Sequence, residues 1–200
     1  MKLTAIKQQV KRTDRYSMYV DGKYTFSLSE SELLEAGLKI GQELTGEDID
    51  RLKNQSALGK GYDKALNLIS RRPRSEGELS DYLKRKDYDA DAASQIIKKL
   101  RDRGYVNDQD FARRWVESRR LLKATSKRRL MLELRQKHVA SEIIDEVLRN
   151  DETDELAVVK QLVEKKRKQT KYQDDLKLMQ FLSRQGFGYD LIKQALEAED

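Results

Sequence analysis

Apolar residues recur at matching intervals in two separate stretches of this 200-residue chain. Leu130, Leu134, Val139, Ile143 and Val147 are spaced by 4, 5, 4 and 4 positions, and Leu178, Leu182, Phe187, Leu191 and Ala195 repeat those steps. A period near 3.6 gives a helix one apolar face, and the step of five marks where one helix stops and another begins. A third stretch starts alike with Leu79, Leu83 and Tyr88, then reads as carrying a short insertion before Ile96 and Leu100. The residue ahead of the five-step position is Asp87, His138 or Gly186. Glycine, and after it Asn, Asp and His, are the types that accept the left-handed backbone at a helix C-terminus, so one backbone requirement accounts for all three.

The spacing predicts a mainly α protein built from tandem three-helix repeats. Helices are expected at 61–72, 76–86 and 90–103 in a first repeat (61–107), at 108–122, 126–137 and 141–149 in a second (108–150), and at 153–169, 174–185 and 189–198 in a third (151–200). Leu79, Leu83, Phe111, Trp115, Leu130, Leu134, Leu178 and Leu182 are the expected core positions. Units of under about 50 residues seldom sustain a core alone, so neighbours must stack. The expected product is an elongated, curved array with a long contact surface in place of one deep pocket.

The first 58 residues follow a different rule. Leu3–Ile6, Tyr16–Val20 and Lys23–Leu28 alternate like strands, and Asp21-Gly22 suits the two-residue hairpin turn that needs positive φ twice. A small antiparallel sheet is expected, then a capping box of Ser29 with Glu32 opening a short helix that stops at Gly37. Thr45 is expected to cap a helix over 46–57, with Gly59-Lys60-Gly61 as a flexible junction to the repeats.

Charge narrows the function. Charged residues make up 38% of the chain, equal to the apolar share, with a net charge of +6. Residues 71–137 hold 20 Lys/Arg against 11 Asp/Glu, so the positive field is regional and the remainder is net acidic. Such a field concentrates anionic partners. With no cysteine, disulfides, thiolate catalysis and Cys-ligated zinc are out, and a reducing cytoplasm is expected. No apolar run of about 18 residues suggests a membrane span, and the N-terminus does not read as a signal sequence.

Catalytic constellations are wanting. His138, the single histidine, has a structural reading at its helix stop. Asp87, Asp89 and Asp91 imitate the start of a calcium loop, but Ala92 stands where the turn wants glycine and Lys98 where a bidentate glutamate is required. These acids are expected at a helix N-terminus instead. No metal site, cofactor or catalytic residue is assigned.

The cations remain: Arg71, Arg72, Arg74, Arg113, Arg114, Arg119, Arg120, Lys123, Lys127, Arg128 and Arg129. Residues 119–129, RRLLKATSKRR, place six of them at a helix–helix corner that Thr125 or Ser126 can cap, with no acid at i+3 or i+4 inside the stretch. A partner rich in carboxylate or phosphate would relieve the repulsion. Phe111 and Trp115 have core spacing, not that of a base-stacking platform, and Tyr105 is placed to close the core after Gly104.

The run Arg74-Ser75-Glu76-Gly77-Glu78-Leu79, followed by Gly104-Tyr105-Val106-Asn107-Asp108-Gln109-Asp110-Phe111-Ala112-Arg113-Arg114-Trp115, resembles the RecX family of bacterial recombination regulators over residues 60–200. The hairpin DGKYTFSLS is similar to the N-terminal extension of longer members. The family commonly has Lys-Gly where this chain has Lys86-Asp87 and Lys137-His138, and a glycine where it has Ala124-Thr125-Ser126. The resemblance implies three-helix repeats and a non-enzymatic monomer. Its implied partner is the RecA recombinase filament on single-stranded DNA, whose ATPase, growth and strand exchange it would restrain, with these cations meeting RecA or DNA phosphates. A stand-alone, basic nucleic-acid-binding protein is the alternative.

Overall fold

The computed structural model describes residues 1–198. They fall into two compact units: residues 1–73 with 79–105, and residues 74–78 with those from 106 onward.

In the first unit, β1 (Leu3–Gln8), β2 (Arg15–Val20) and β3 (Lys23–Ser29) form an antiparallel sheet in that order. Asp21 and Gly22 both have positive φ, 47° and 78°, so the β2–β3 turn is the expected one. Met18 lies opposite both Ile6 and Phe26, and one face carries Leu3, Met18, Val20, Phe26 and Leu28 into a core closed by Leu44, Ile49 and Leu52. Ser29 and Glu32 make the full capping box of α1 (Glu30–Ala36), and Gly37 ends it left-handed at φ 59°.

Helix α2 differs from expectation. It runs unbroken from Gly46 to Ile69, with Thr45 and Asp48 as its capping box, so the junction predicted at residues 59–61 is helical. Both glycines are there for close approach. A Cβ on Gly59 would lie 1.9 Å from Glu32 Oε1, and one on Gly61 would lie 2.4 Å from Ile96 Cδ1. Arg15, 1% exposed, anchors the sheet to this helix: it donates to the Ser27 carbonyl and to Asp63, each at 3.0 Å, with Glu32 at 3.9 Å. Helices α3 (Glu76–Lys84) and α4 (Ala90–Asp102) follow, with Ala65, Leu79, Leu83, Ala93, Ile96 and Leu100 buried.

The second unit holds α5 (Asp108–Leu122), α6 (Lys127–Arg135), α7 (Ser141–Arg149), α8 (Glu155–Arg167), α9 (Asp175–Arg184) and α10 (Tyr189–Glu197). Phe111, Val116, Leu130, Leu134, Ile144 and Val147 belong to one core, and Val159, Val163, Leu178, Leu182, Phe187 and Ile192 to the next.

The burial pattern corrects the repeat spacing. Ile144 and Ile192 are fully buried where Ile143 and Leu191 are half-buried, so the steps are 4, 5, 5 and 3. Leu79, Leu83, Tyr88, Ala93 and Ile96 follow the same steps, and the first repeat has no insertion. All three stops share one hydrogen-bond pattern. Asp87, His138 and Gly186 have φ of 63°, 56° and 91°, and the next residue's N–H reaches back to Leu83, Leu134 or Leu182 at 3.2, 3.2 and 3.3 Å. This 6→1 bond satisfies a terminal helix carbonyl and explains why only these residue types stand there. Asp89 caps α4 through the Ala92 N–H, so the aspartate run builds a helix start and not an ion loop.

Candidate interaction surface

Several of the cations lie at a joint that occurs twice in the second unit, among them Lys127 and Arg129. Ser75 caps α3 at the Glu78 N–H and donates its hydroxyl to the carbonyl of Lys137; Ser126 caps α6 at the Arg129 N–H and donates to the carbonyl of Gln185 at 2.9 Å. The first helical N–H goes to an acid that opens a later helix, Glu76 to Asp108 at 2.8 Å and Lys127 to Glu155 at 2.6 Å. The third helical side chain reaches the turn, Glu78 to Lys137 at 2.9 Å and Arg129 to Gln185 at 3.1 Å. Helix-start donors that would otherwise be orphaned are thereby satisfied.

This framework consumes many of the proposed contact residues. Arg119 pairs with Glu133 at 2.7 Å and lies 4.6 Å over the Trp115 ring, whose Nε1 donates to the same carboxylate at 2.9 Å. Lys137 is 5.3 Å from that ring and Phe111 stacks on it. Trp115 is thus a half-buried cation–π centre packed against the core of its repeat. Arg120 pairs with Asp151 at 2.6 Å and donates to the Thr125 carbonyl; Lys127 donates to the Asp151 carbonyl at 2.8 Å. Burial raises the Asp151 carboxyl, but hydrogen bonds from Thr153 and Arg120 outweigh it and hold the group below its ordinary value. Arg129 faces Glu133 at 3.8 Å, Arg74 faces Glu78 at 3.6 Å, and Arg72 donates to the Pro73 carbonyl. Arg113 spans Asp110 and Glu117 on the surface of α5.

Much of the repulsion in residues 119–129 is therefore relieved inside the chain, by Glu133 and Asp151. Glu133 lies four positions after Arg129, just outside the quoted stretch; Asp151, 31 positions from Arg120, left no local signal. Arg71, Arg114, Lys123 and Arg128 are exposed, with no side-chain ion pair or hydrogen bond among the described residues. Beside Lys123, Leu121 and Leu122 are 86% and 74% exposed, unlike the core that their leucine character suggests. Leu121 borders an open groove of about 690 Å³ with Val116, Val147, Arg113 and Glu117. Tyr105, expected in the core, is 50% exposed, and Val106 is buried instead.

No described helix is long and apolar enough to cross a membrane, and among the described residues no three His, Asp or Glu side chains gather as a metal site.

Comparison with known proteins agrees along the whole chain. Family models match the RecX N-terminal domain at residues 1–45 and the first, second and third RecX three-helix domains at 62–100, 107–148 and 152–196. A regulatory protein RecX of Listeria monocytogenes serotype 4a (strain HCC23) is 35% identical over 202 residues, covering 98% of this chain and 74% of that protein. That of Bacillus subtilis (strain 168) is 32% identical, covering 98% and 76%. A crystal structure of regulatory protein RecX superposes with a TM-score of 0.79 at 27% identity over 98% of both chains. RecX from Lactobacillus salivarius gives 0.63 at 28% identity over 70% of this chain and 95% of that one. With all four domain models in order and relatives above 30% identity along nearly its full length, the chain belongs to the RecX family of regulatory proteins.

Proposed function

We propose that the chain is a non-enzymatic, monomeric, cytoplasmic regulator. It binds the RecA filament on single-stranded DNA and restrains its ATP hydrolysis, growth and strand exchange. Family membership supports the partner. The observation that carries the surface is the second repeat's exposed corner, where Leu121 and Leu122 stand beside Lys123, which like Arg114 and Arg128 is unpaired among the described residues. Exposed apolar side chains on the same repeat as exposed cations suit an acidic protein groove better than a bare phosphate track, which needs no leucine. Repeated units spread along a periodic filament add avidity without one dominant site.

The test is ATP hydrolysis by RecA on single-stranded DNA as the chain is titrated in at several excesses of free DNA. The comparison variant carries Arg114→Glu, Lys123→Glu and Arg128→Glu, chosen because reversing Arg119, Arg120 or Arg129 would also break the framework. Inhibition below one copy per RecA, insensitive to free DNA and weakened in the variant, is the expected result. Inhibition that fades as free DNA rises makes the chain a competitor for DNA, and no inhibition overturns the reading.

A further inference from the structure

The joint has a receiving side, the turn that ends each middle helix. In the second and third repeats it is filled: the carbonyls of Lys137 and Gln185 take the serine hydroxyl, and their side chains take the third helical residue. The equivalent turn of the first repeat is Lys84-Arg85-Lys86-Asp87, with Lys86 at the place of Lys137 and Gln185. All four of its residues are exposed. Its backbone matches the filled turns, with left-handed Asp87 and the same bonds to Leu83 and Lys84. Asp87 also borders an open cleft of about 770 Å³ with Tyr24, Lys53, Lys60, Tyr88 and Asp89, which leaves room beside it.

We infer that this turn is a docking site for a helix N-terminus of a partner protein, one with a serine or threonine cap and a glutamate at the third helical position. The hydroxyl donates to the Lys86 carbonyl as Ser75 does to Lys137, and the glutamate pairs with Lys86 as Glu78 does with Lys137. A second copy of this chain has no free middle helix that fits, since Ser75 and Ser126 are engaged in its own joints. The middle helix of its third repeat starts with Asp174 as cap and Lys177 at the third position. A carboxylate cap has no proton for the carbonyl, and Lys177 would meet Lys86. This inference stands apart from the identity of the filament partner.

A helix-stapled peptide of residues 74–84 (RSEGELSDYLK) supplies the probe, titrated into ¹⁵N-labelled full-length chain. Amide shifts at residues 84–88 are expected, weakened about fivefold or more by Lys86→Glu and restored when the peptide carries Glu78→Lys. The docking site is overturned by an absence of shifts, by shifts confined to residues 137–139 where the peptide displaces the chain's own α3 start, or by binding indifferent to Lys86→Glu. Equal binding by a peptide of residues 173–184 would make the occupant a second copy and overturn the choice of partner.

Discussion

Ser126 donates its hydroxyl to the carbonyl of Gln185, 59 positions on, while accepting the N–H of Arg129 at 3.1 Å. One side chain thereby caps α6 and fastens it to the turn that ends α9. Asp174 caps α9 at the Lys177 N–H at 3.0 Å, and its carboxylate has no proton to donate. Ser126→Ala should therefore cost about 2 kcal/mol, the cap together with a desolvated carbonyl, and Asp174→Ala only about 1 kcal/mol. Urea denaturation of both variants measures the difference. Equal losses would mean that Ser126 acts as a cap alone.

Arg120 and Asp151 have side chains only 12% and 8% exposed, so the pair is a buried one, and removing one partner strands the other. Arg120→Ala should cost about 3 kcal/mol, whereas Lys123→Ala should stay within about 0.5 kcal/mol. The Asp151 carboxyl lies below its ordinary 3.8 in the folded chain. A depressed carboxylate contributes stability that is fully present above its unfolded pKa and is lost as pH falls through the folded value. Stability should thus drop on acidification below about pH 4, and less steeply in Asp151→Asn, as denaturation midpoints across that range would reveal.

Gly59 meets Glu32, and Glu32 in turn lies beside buried Arg15. Gly59→Ala should destabilise by about 1–3 kcal/mol although alanine is the better helix former, because the clash falls on a buried carboxylate. A truncation beginning at residue 59 would cut α2 through its middle and strip Asp63 of Arg15 and Arg12. It should yield a chain with reduced helicity by circular dichroism, while one beginning at residue 46 keeps α2 whole.

The same helix shows where sequence reading stops. Helix 108–122 coincides with expectation because the Asn107 cap and an apolar period agree there, and 141–149 coincides on its apolar period, with Ala140 making no side-chain cap. Gly59 and Gly61 read as a break because glycine is intrinsically poor in helices; tertiary contact with Glu32, Ile96 and Tyr88 overrides that preference. At 143–144 and 191–192 two adjacent apolar residues compete for one inward position, and only packing chooses Ile144 and Ile192. Ala93 was too small to register as the first repeat's counterpart, which created the false insertion. The basic region was legible as a region, but its pairings were not, since Asp151 reaches Arg120 only through the fold.

The two joints solve one steric problem from opposite sides. In the first, Gly77 on the helix makes room for His138, and a Cβ on Gly77 would fall 2.2 Å from that of His138. In the second, the turn itself is Gly186, where a Cβ would lie 2.5 Å from Ser126 Oγ, and the helix carries Arg128 in the place of Gly77. Gly77→Ala should cost about 1–3 kcal/mol by overpacking. His138→Gly alone removes a left-handed non-glycine residue and should gain up to about 1 kcal/mol. Together they recreate the arrangement of the second joint, so the double variant should recover most of the loss, a coupling of about 1 kcal/mol or more in a double-mutant cycle. Simple additivity would show that the helix start and the turn are not in contact in solution.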